Sequence, residues 1–221
     1  MTRSFKMSRR SVLGGLTGLA AVSAVPLVTS KAFASETQVE APHIHSCADW
    51  GARPVGDMPV VNQAPNKIIC HHTAFPNTDD HSLEYAFQNS REIQDLHIDQ
   101  NGWPDSGQHF TNSQGGHITE GRFGSLGALQ DGTYMIQGAH VVGQNSEAIG
   151  IENDGSYHDG AQPSEAQWNS LINLCAYICA QYGIPSSEIY GHMDFNETQC
   201  PGVIHERLPE LREAVQGVLD G

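Results

Sequence analysis

Ile68-Ile69-Cys70-His71-His72 follows the turn signal Pro65-Asn66 and ends in two adjacent imidazoles. A short apolar run bounded in this way reads as a buried strand. A polar ring at the end of such a strand is costly unless paired, so whatever surrounds the strand must supply partners for histidine. Residues 79–100 carry Leu83, Ala86, Phe87, Ser90, Ile93, Leu96 and His97 at helical spacing, with Asp79 or Asp80 as cap and Asn101-Gly102 as stop. Gln108–Asn112 and His117–Arg122 flank Gly115-Gly116, a pair that tolerates the positive φ of a tight turn, and read as a hairpin. Ala148–Asn153 reads as a further strand. From Ser164 a capping box with Gln167 opens a helix whose Trp168, Leu171, Leu174, Cys175, Ile178, Cys179 and Tyr182 share a face, ended by Gly183 and Pro185. Ile189–His192 is a last strand, and Pro209–Leu219 a last helix with Leu211, Val215 and Val218 inward. Strands mixed with helices, one hairpin among them, predict an α/β fold with a central mixed β-sheet flanked by α-helices.

Charge divides the chain. Arg3, Lys6, Arg9, Arg10 and Lys31 precede the first acid, Glu36, so only six of the 11 bases remain against all 25 acids after residue 34. No basic stripe remains to neutralise phosphates, which argues against nucleic acid as a partner. The front itself resembles a twin-arginine export signal. Ser8-Arg9-Arg10-Ser11-Val12-Leu13 precedes a mildly apolar run to Val28, and Ala32-Phe33-Ala34 offers the small residues a signal peptidase needs. The run is short, carries Gly14, Gly15 and Gly18 and is broken by Pro26, so no stable membrane insertion of the mature chain is expected. The expected organisation is a signal peptide over 1–34, cleaved near Ala34-Ser35, a loose lead-in over 35–46 and one domain over 47–221, secreted and working as a monomer. The twin-arginine route carries proteins already folded, often with a cofactor loaded, which suits a metal site.

Of five cysteines, Cys175 and Cys179 fall on the apolar face of their helix and Cys70 within the buried strand, as core residues or disulfide partners. Cys47 is placed to staple the mature start to the long helix, although pairing cannot be read from sequence. Cys200, in Thr198-Gln199-Cys200-Pro201-Gly202, has a different setting, a loop eight residues beyond His192. His71, His192 and Cys200 each follow or end a strand. Two imidazoles and a thiolate make a three-ligand zinc site whose fourth position is open to water, the pattern of catalytic sites rather than structural ones. With 12 histidines in the chain, hydrogen-bonded or exposed rings are the alternative.

Trp50-Gly51-Ala52-Arg53-Pro54, His71-His72-Thr73-Ala74, Gly107-Gln108-His109-Phe110, Thr119-Glu120-Gly121-Arg122, Gly138-Ala139-His140, Ile149-Gly150-Ile151-Glu152, Gly191-His192-Met193-Asp194 and Cys200-Pro201-Gly202 follow one another in this order. Together they resemble the zinc-dependent N-acetylmuramoyl-L-alanine amidases of the peptidoglycan recognition protein and phage amidase superfamily, over about residues 47–219. The resemblance implies a single α/β domain with a groove for a peptidoglycan fragment or muropeptide, and Zn2+ held by His71, His192 and Cys200, with His72 the non-ligand neighbour. Strand alternation agrees, because adjacent side chains point to opposite faces. Binding modules of the superfamily that lack catalysis typically replace the cysteine, so Cys200 favours an enzyme.

The reaction implied is hydrolysis of the amide between the lactyl group of N-acetylmuramic acid and L-alanine. A base must take a proton from water and an acid must give one to the departing amine. Glu152 alternates with Ile149 and Ile151 and matches the catalytic glutamate of one branch of bacterial amidases; the alternative is a solvated strand glutamate. Gln108 stands where phage amidases and many recognition proteins carry a tyrosine, and glutamine cannot titrate. Thr198 stands where some relatives carry lysine, and its hydroxyl can donate to an oxyanion. Met193 replaces a common arginine. His140 and Arg122 are candidates for substrate contact, with a role behind another ligand or a structural ion pair as the respective alternatives. Asp194 is expected to orient His192, while His97, Trp103 and Trp168 are expected to pack. Two other readings stand beside the amidase: a peptidoglycan sensor without turnover, and a zinc hydrolase of another amide. With no basic wall-binding repeat, the acidic body predicts weak retention on an anionic wall.

Overall fold

The computed structural model describes residues 39–221. The expected export signal, its cleavage point and the first part of the lead-in lie outside the described residues. Eight strands form in chain order: β1 (Ile44–His45), β2 (Val60–Val61), β3 (Lys67–His72), β4 (Phe110–Asn112), β5 (Ile118–Glu120), β6 (Met135–Ile136), β7 (Ala148–Asn153) and β8 (Ile189–Gly191). Six of them build one sheet in the order β1-β5-β4-β7-β3-β8, and β2 pairs with β6 in a separate ribbon. Only the β4–β5 hairpin is antiparallel within the large sheet; its other neighbours run parallel. The helices are α1 (Leu83–Asp95), α2 (Ser125–Asp131), α3 (Glu165–Tyr182), α4 (Val203–Glu206) and α5 (Leu208–Asp220). This is the expected α/β domain with a mixed sheet and helical cover.

The sheet has two different faces because β3 and β7 alternate in step. Ile68, Cys70, Ile149 and Ile151 point to the side of α3 and join Leu171, Leu174, Cys175 and Ile178 in the main core. Ile69 and Ala148 point the other way, into a small cluster with Val141. The register pairs His71 with Glu152 and Cys70 with Gly191, so β3, β7 and β8 end together with His71, Glu152 and His192 side by side. In parallel sheets the crevice beyond the carboxyl ends of the strands is where ligands collect.

The helix ends show where local chemistry competes. The cap of α1 is Ser82, whose Oγ accepts from Tyr85 N at 3.2 Å, and not Asp79 or Asp80. Asp80 instead accepts from Ser82 N at 3.0 Å and braces the cap. Ser164 does cap α3, accepting from Gln167 N at 3.0 Å. The other half of the box is not made: Gln167 turns inward, donating to the carbonyls of Asn112 and Asp154 and accepting from Tyr157 Oη. Buried backbone acceptors without water outbid an exposed cap. In α5 Leu211 and Val215 are buried as expected, but Val218 is 36% exposed. It faces Val39–His43 across a shallow cavity, because the last turn passes beyond the core. The lead-in also departs from expectation, since Ile44–His45 add an edge strand to β5. All five cysteines are free, and Cys47 lies against the carbonyls of Glu120 and Gly121 rather than beside α3.

His109 locks β4 to its neighbours from inside: Nε2 bonds Ile136 O at 2.8 Å and Nδ1 accepts from Gly150 N at 2.9 Å. Burial lowers its pKa to about 4. Between the ordinary value near 6.5 and this one, the unfolded chain takes up a proton that the folded chain refuses. Stability is therefore present above about pH 6.5 and falls toward pH 4, by as much as about 1.4 kcal/mol per pH unit for this ring. Urea unfolding at pH 7 and pH 5 should show a loss of about 2 kcal/mol or more; equal stabilities would contradict it. Gln167→Leu should cost about 2 to 3 kcal/mol in the same assay at pH 7 by removing three buried hydrogen bonds, with Asn112 O still accepting from Asp154 N and Asp154 O from Tyr157 Oη, against about 1 kcal/mol for Ser164→Ala.

Candidate metal centre and cleft

Three loops and strand ends bring His71, His192 and Cys200 together. One ligand atom from each lies within 4.8 Å of the others, and His71 Nδ1 is 3.7 Å from Cys200 Sγ. Ligand atoms on a tetrahedral zinc, with bonds of about 2.1 Å to nitrogen and 2.3 Å to sulfur, stand about 3.6 Å apart. The loop holding Cys200 is shaped by its own sequence. The Cys200–Pro201 bond is cis, and Gly202 has φ +65°, where a Cβ would sit 2.2 Å from Tyr157 O. His72, on the α3 face, accepts from Tyr157 N at 3.0 Å through Nδ1, and its own backbone N–H points to Cys200 Sγ at 3.3 Å. The two histidines of the pair thus serve opposite faces.

Hydrogen bonds settle which nitrogens are available. His140 Nε2 donates to Ala148 O at 3.3 Å, so its Nδ1 accepts from His71 Nε2 at 3.0 Å and leaves His71 Nδ1 bare toward Cys200. His192 Nε2 lies 3.2 Å from Asn196 Oδ1, an acceptor, which leaves its Nδ1 bare as well. Asp194 does not touch His192; it accepts from Gly191 N and pairs with His205, because its turn folds back on the strand end. Burial lowers the His71 and His140 pKa well below the ordinary value, keeping both rings neutral. Burial and the nearby Glu152 carboxylate push the Cys200 thiol up, so a thiolate here needs a cation beside it. Two bare imidazole nitrogens, one such sulfur and an open side make a donor set that fits zinc.

The trio lies in a cleft of about 490 Å³ that Gln108, His140, Glu152 and Thr198 also line. Burial, with Asp154 adding a like charge, raises the Glu152 pKa to about 7. Gln108 donates to Thr111 Oγ1 at 2.9 Å, while its buried Oε1 has no partner among the described residues. Thr198 Oγ1 accepts from Cys200 N at 3.2 Å, leaving its proton for the cleft. His140 occupies space that two glycines vacate: a Cβ on Gly138 would lie 2.6 Å, and one on Gly150 2.7 Å, from its ring. Arg122 does not line the cleft; it is buried, donates to Ser106 O at 2.7 Å and sits near Asp105. Among the described residues no lysine or arginine lines this cleft. His97 and Trp103, expected only to pack, stack at 4.7 Å between ring centroids and form one wall, and His158 lines the cleft too. Their pattern carried one faint signal, two aromatic rings bracketing the Asn101-Gly102 stop.

A family model described as N-acetylmuramoyl-L-alanine amidase, the type 2 amidases, matches residues 61–203. The Homo sapiens protein named N-acetylmuramoyl-L-alanine amidase is 30% identical over 171 residues, 76% of this chain, and the chain spans only 28% of that relative's length. Among solved structures, Drosophila PGRP-LB superposes with a TM-score of 0.63 at 27% identity, covering 72% of this chain and 88% of that one. The N-acetylmuramoyl-L-alanine amidase LysC from Clostridium intestinale gives 0.60 at 26% identity, covering 80% of this chain and 99% of that one. The family's model spans the sequence from β2 to the start of α4, including every strand end that builds the His71, His192 and Cys200 cluster, and the chain belongs to the type 2 N-acetylmuramoyl-L-alanine amidase family, which includes the peptidoglycan recognition proteins.

Proposed function

We propose that the chain is a zinc-dependent N-acetylmuramoyl-L-alanine amidase that cuts the amide between N-acetylmuramic acid and L-alanine in bacterial peptidoglycan. The observation that carries this reading is the convergence of His71, His192 and Cys200 beside Glu152 in one cleft. Zinc held by the trio supplies a Lewis acid that acidifies water and polarises an amide carbonyl. The chain's own residues do the rest. Glu152, poised near neutrality, takes a proton from the attacking water and returns it to the departing amine nitrogen. The Thr198 hydroxyl, anchored by Cys200 N, donates to the carbonyl oxygen as negative charge builds there. Gln108 offers its unpartnered Oε1 to a substrate N–H, while its amide group cannot exchange protons. His140 holds the His71 ring and its tautomer rather than touching the scissile bond.

A muropeptide as substrate is supported by the family and by the structure of a Drosophila PGRP-LB variant in complex with tracheal cytotoxin. Export by the twin-arginine route and a mature domain over 47–221 belong to the same proposal. No helix among the described residues is long and apolar enough to cross a membrane. A sensor that binds without turnover is the second reading, favoured by Gln108 in place of a titratable tyrosine.

Mass spectrometry of purified peptidoglycan treated with the zinc-loaded protein should show new L-alanine amino ends and intact muramic acid. Retained muropeptide with no cleavage would favour the sensor. Glu152→Gln should lower kcat by about 10²- to 10⁴-fold with zinc content unchanged, whereas Cys200→Ser should lose zinc and activity together. His140→Ala should weaken zinc binding, read by chelator competition, by about 10- to 100-fold; an unaltered affinity would remove its positioning role.

A further inference from the structure

A second group of imidazoles lies at the other side of the sheet. In the parallel pairing of β1 with β5, Ile44 stands beside Ile118 and His45 beside Thr119. Continued by one residue beyond β1, the same register would set His43 beside His117. The period of two puts His43 and His45 on one face of the edge. The ring centroids of His43 and His45 are 4.3 Å apart, and those of His45 and His117 are 6.5 Å apart. Among the described residues none of the three rings has a hydrogen-bond partner, so none of these residues competes for their nitrogens. The Asp49 carboxylate, held by Ser46 N at 2.7 Å and Ser46 Oγ at 2.8 Å, sits close enough to lend negative charge to His45. β1 lies four strand spacings from β3, about 19 Å at about 4.8 Å per strand, so this group is separate from the cleft.

We infer that His43, His45 and His117 form a second divalent-metal site, one that takes a borderline transition ion such as zinc, nickel or copper and clamps the lead-in to the domain. Neutral imidazoles suit these ions and not calcium or magnesium, which demand oxygen. Two histidines at alternate positions of one strand already bring their rings close enough to share an ion, and the third comes from the neighbouring strand. The ring nitrogens do not share one centre in the structure. His43 is exposed and the other two are half-buried, so rotation about the ring torsion, which has a broad minimum, can aim them. An ion there would bridge β1 to β5, adding a bond beside the two paired residues of β1 and the packing of Val39 and Ile44 on the core. Its ligands are one exposed and two half-buried rings, so it would exchange more readily than an ion in the buried cleft.

The inference does not depend on the amidase reading, and the test keeps the two apart. Equilibrium dialysis of the chain against zinc chloride, and separately nickel chloride, would be followed by metal analysis. The His43→Asn/His117→Asn chain should hold one equivalent fewer than the wild type, while Cys200→Ser should keep this weaker equivalent. Both asparagines replace solvent-reached rings, and unchanged urea midpoints without metal would show that folding is intact. Zinc should also slow proteolysis of the lead-in, several-fold in the wild type and not in the double variant. Equal metal content in wild type and double variant, whether high or low, would overturn the site.

Discussion

The in-step parallel pairing of β3 with β7 is the constraint on which the rest depends. Because His71 is paired with Glu152, a slip of β7 by one residue would turn Glu152 toward the α3 core while His71 stayed at the cleft. The apolar members of the same strands prevent that slip: Ile68, Cys70, Ile149 and Ile151 fill the core between sheet and α3. The chemistry at the strand ends is thus held in place by burial several residues earlier. β8 extends the same logic, because its pairing with β3 delivers His192 at the next position.

Burial also sets the electrical character of the cleft. The ionisable groups lining it are imidazoles, one thiol and one carboxyl, and dehydration drives His71, His140, Glu152 and Cys200 toward their neutral forms. Such a site repels charge until a cation arrives, and then holds it strongly, since two bare ring nitrogens and a sulfur face it with little water in competition. The His140–His71 bond fixes which nitrogen is bare without adding charge. The glycines at 138 and 150 are the sequence cost of that arrangement, because any side chain there would displace the His140 ring.

Much of this was legible in the sequence where period and burial act together. β3, β7, α3 and the hairpin follow from apolar runs, helical spacing and Gly115-Gly116, and the three candidate ligands follow from two histidines at strand ends and a cysteine in the loop beyond the second. The two-residue strands β1, β2 and β6 have no period to read, and α2, flanked by Gly124 and Gly132 at positive φ, is too short to show one. Side-chain partners were least legible. Arg122 as a buried donor to Ser106, Asp194 as a partner of His205, and His140 behind His71 depend on contacts between residues 11 to 69 positions apart, which no local pattern encodes.

The most direct test of the central claim is zinc K-edge X-ray absorption of the chain loaded with a single zinc equivalent. One sulfur at about 2.3 Å and two or three nitrogen or oxygen atoms at about 2.0 to 2.1 Å are expected, with the sulfur contribution lost in Cys200→Ser. A shell with no sulfur in the wild type, or one unchanged by that substitution, would contradict the assignment of His71, His192 and Cys200 as the metal centre.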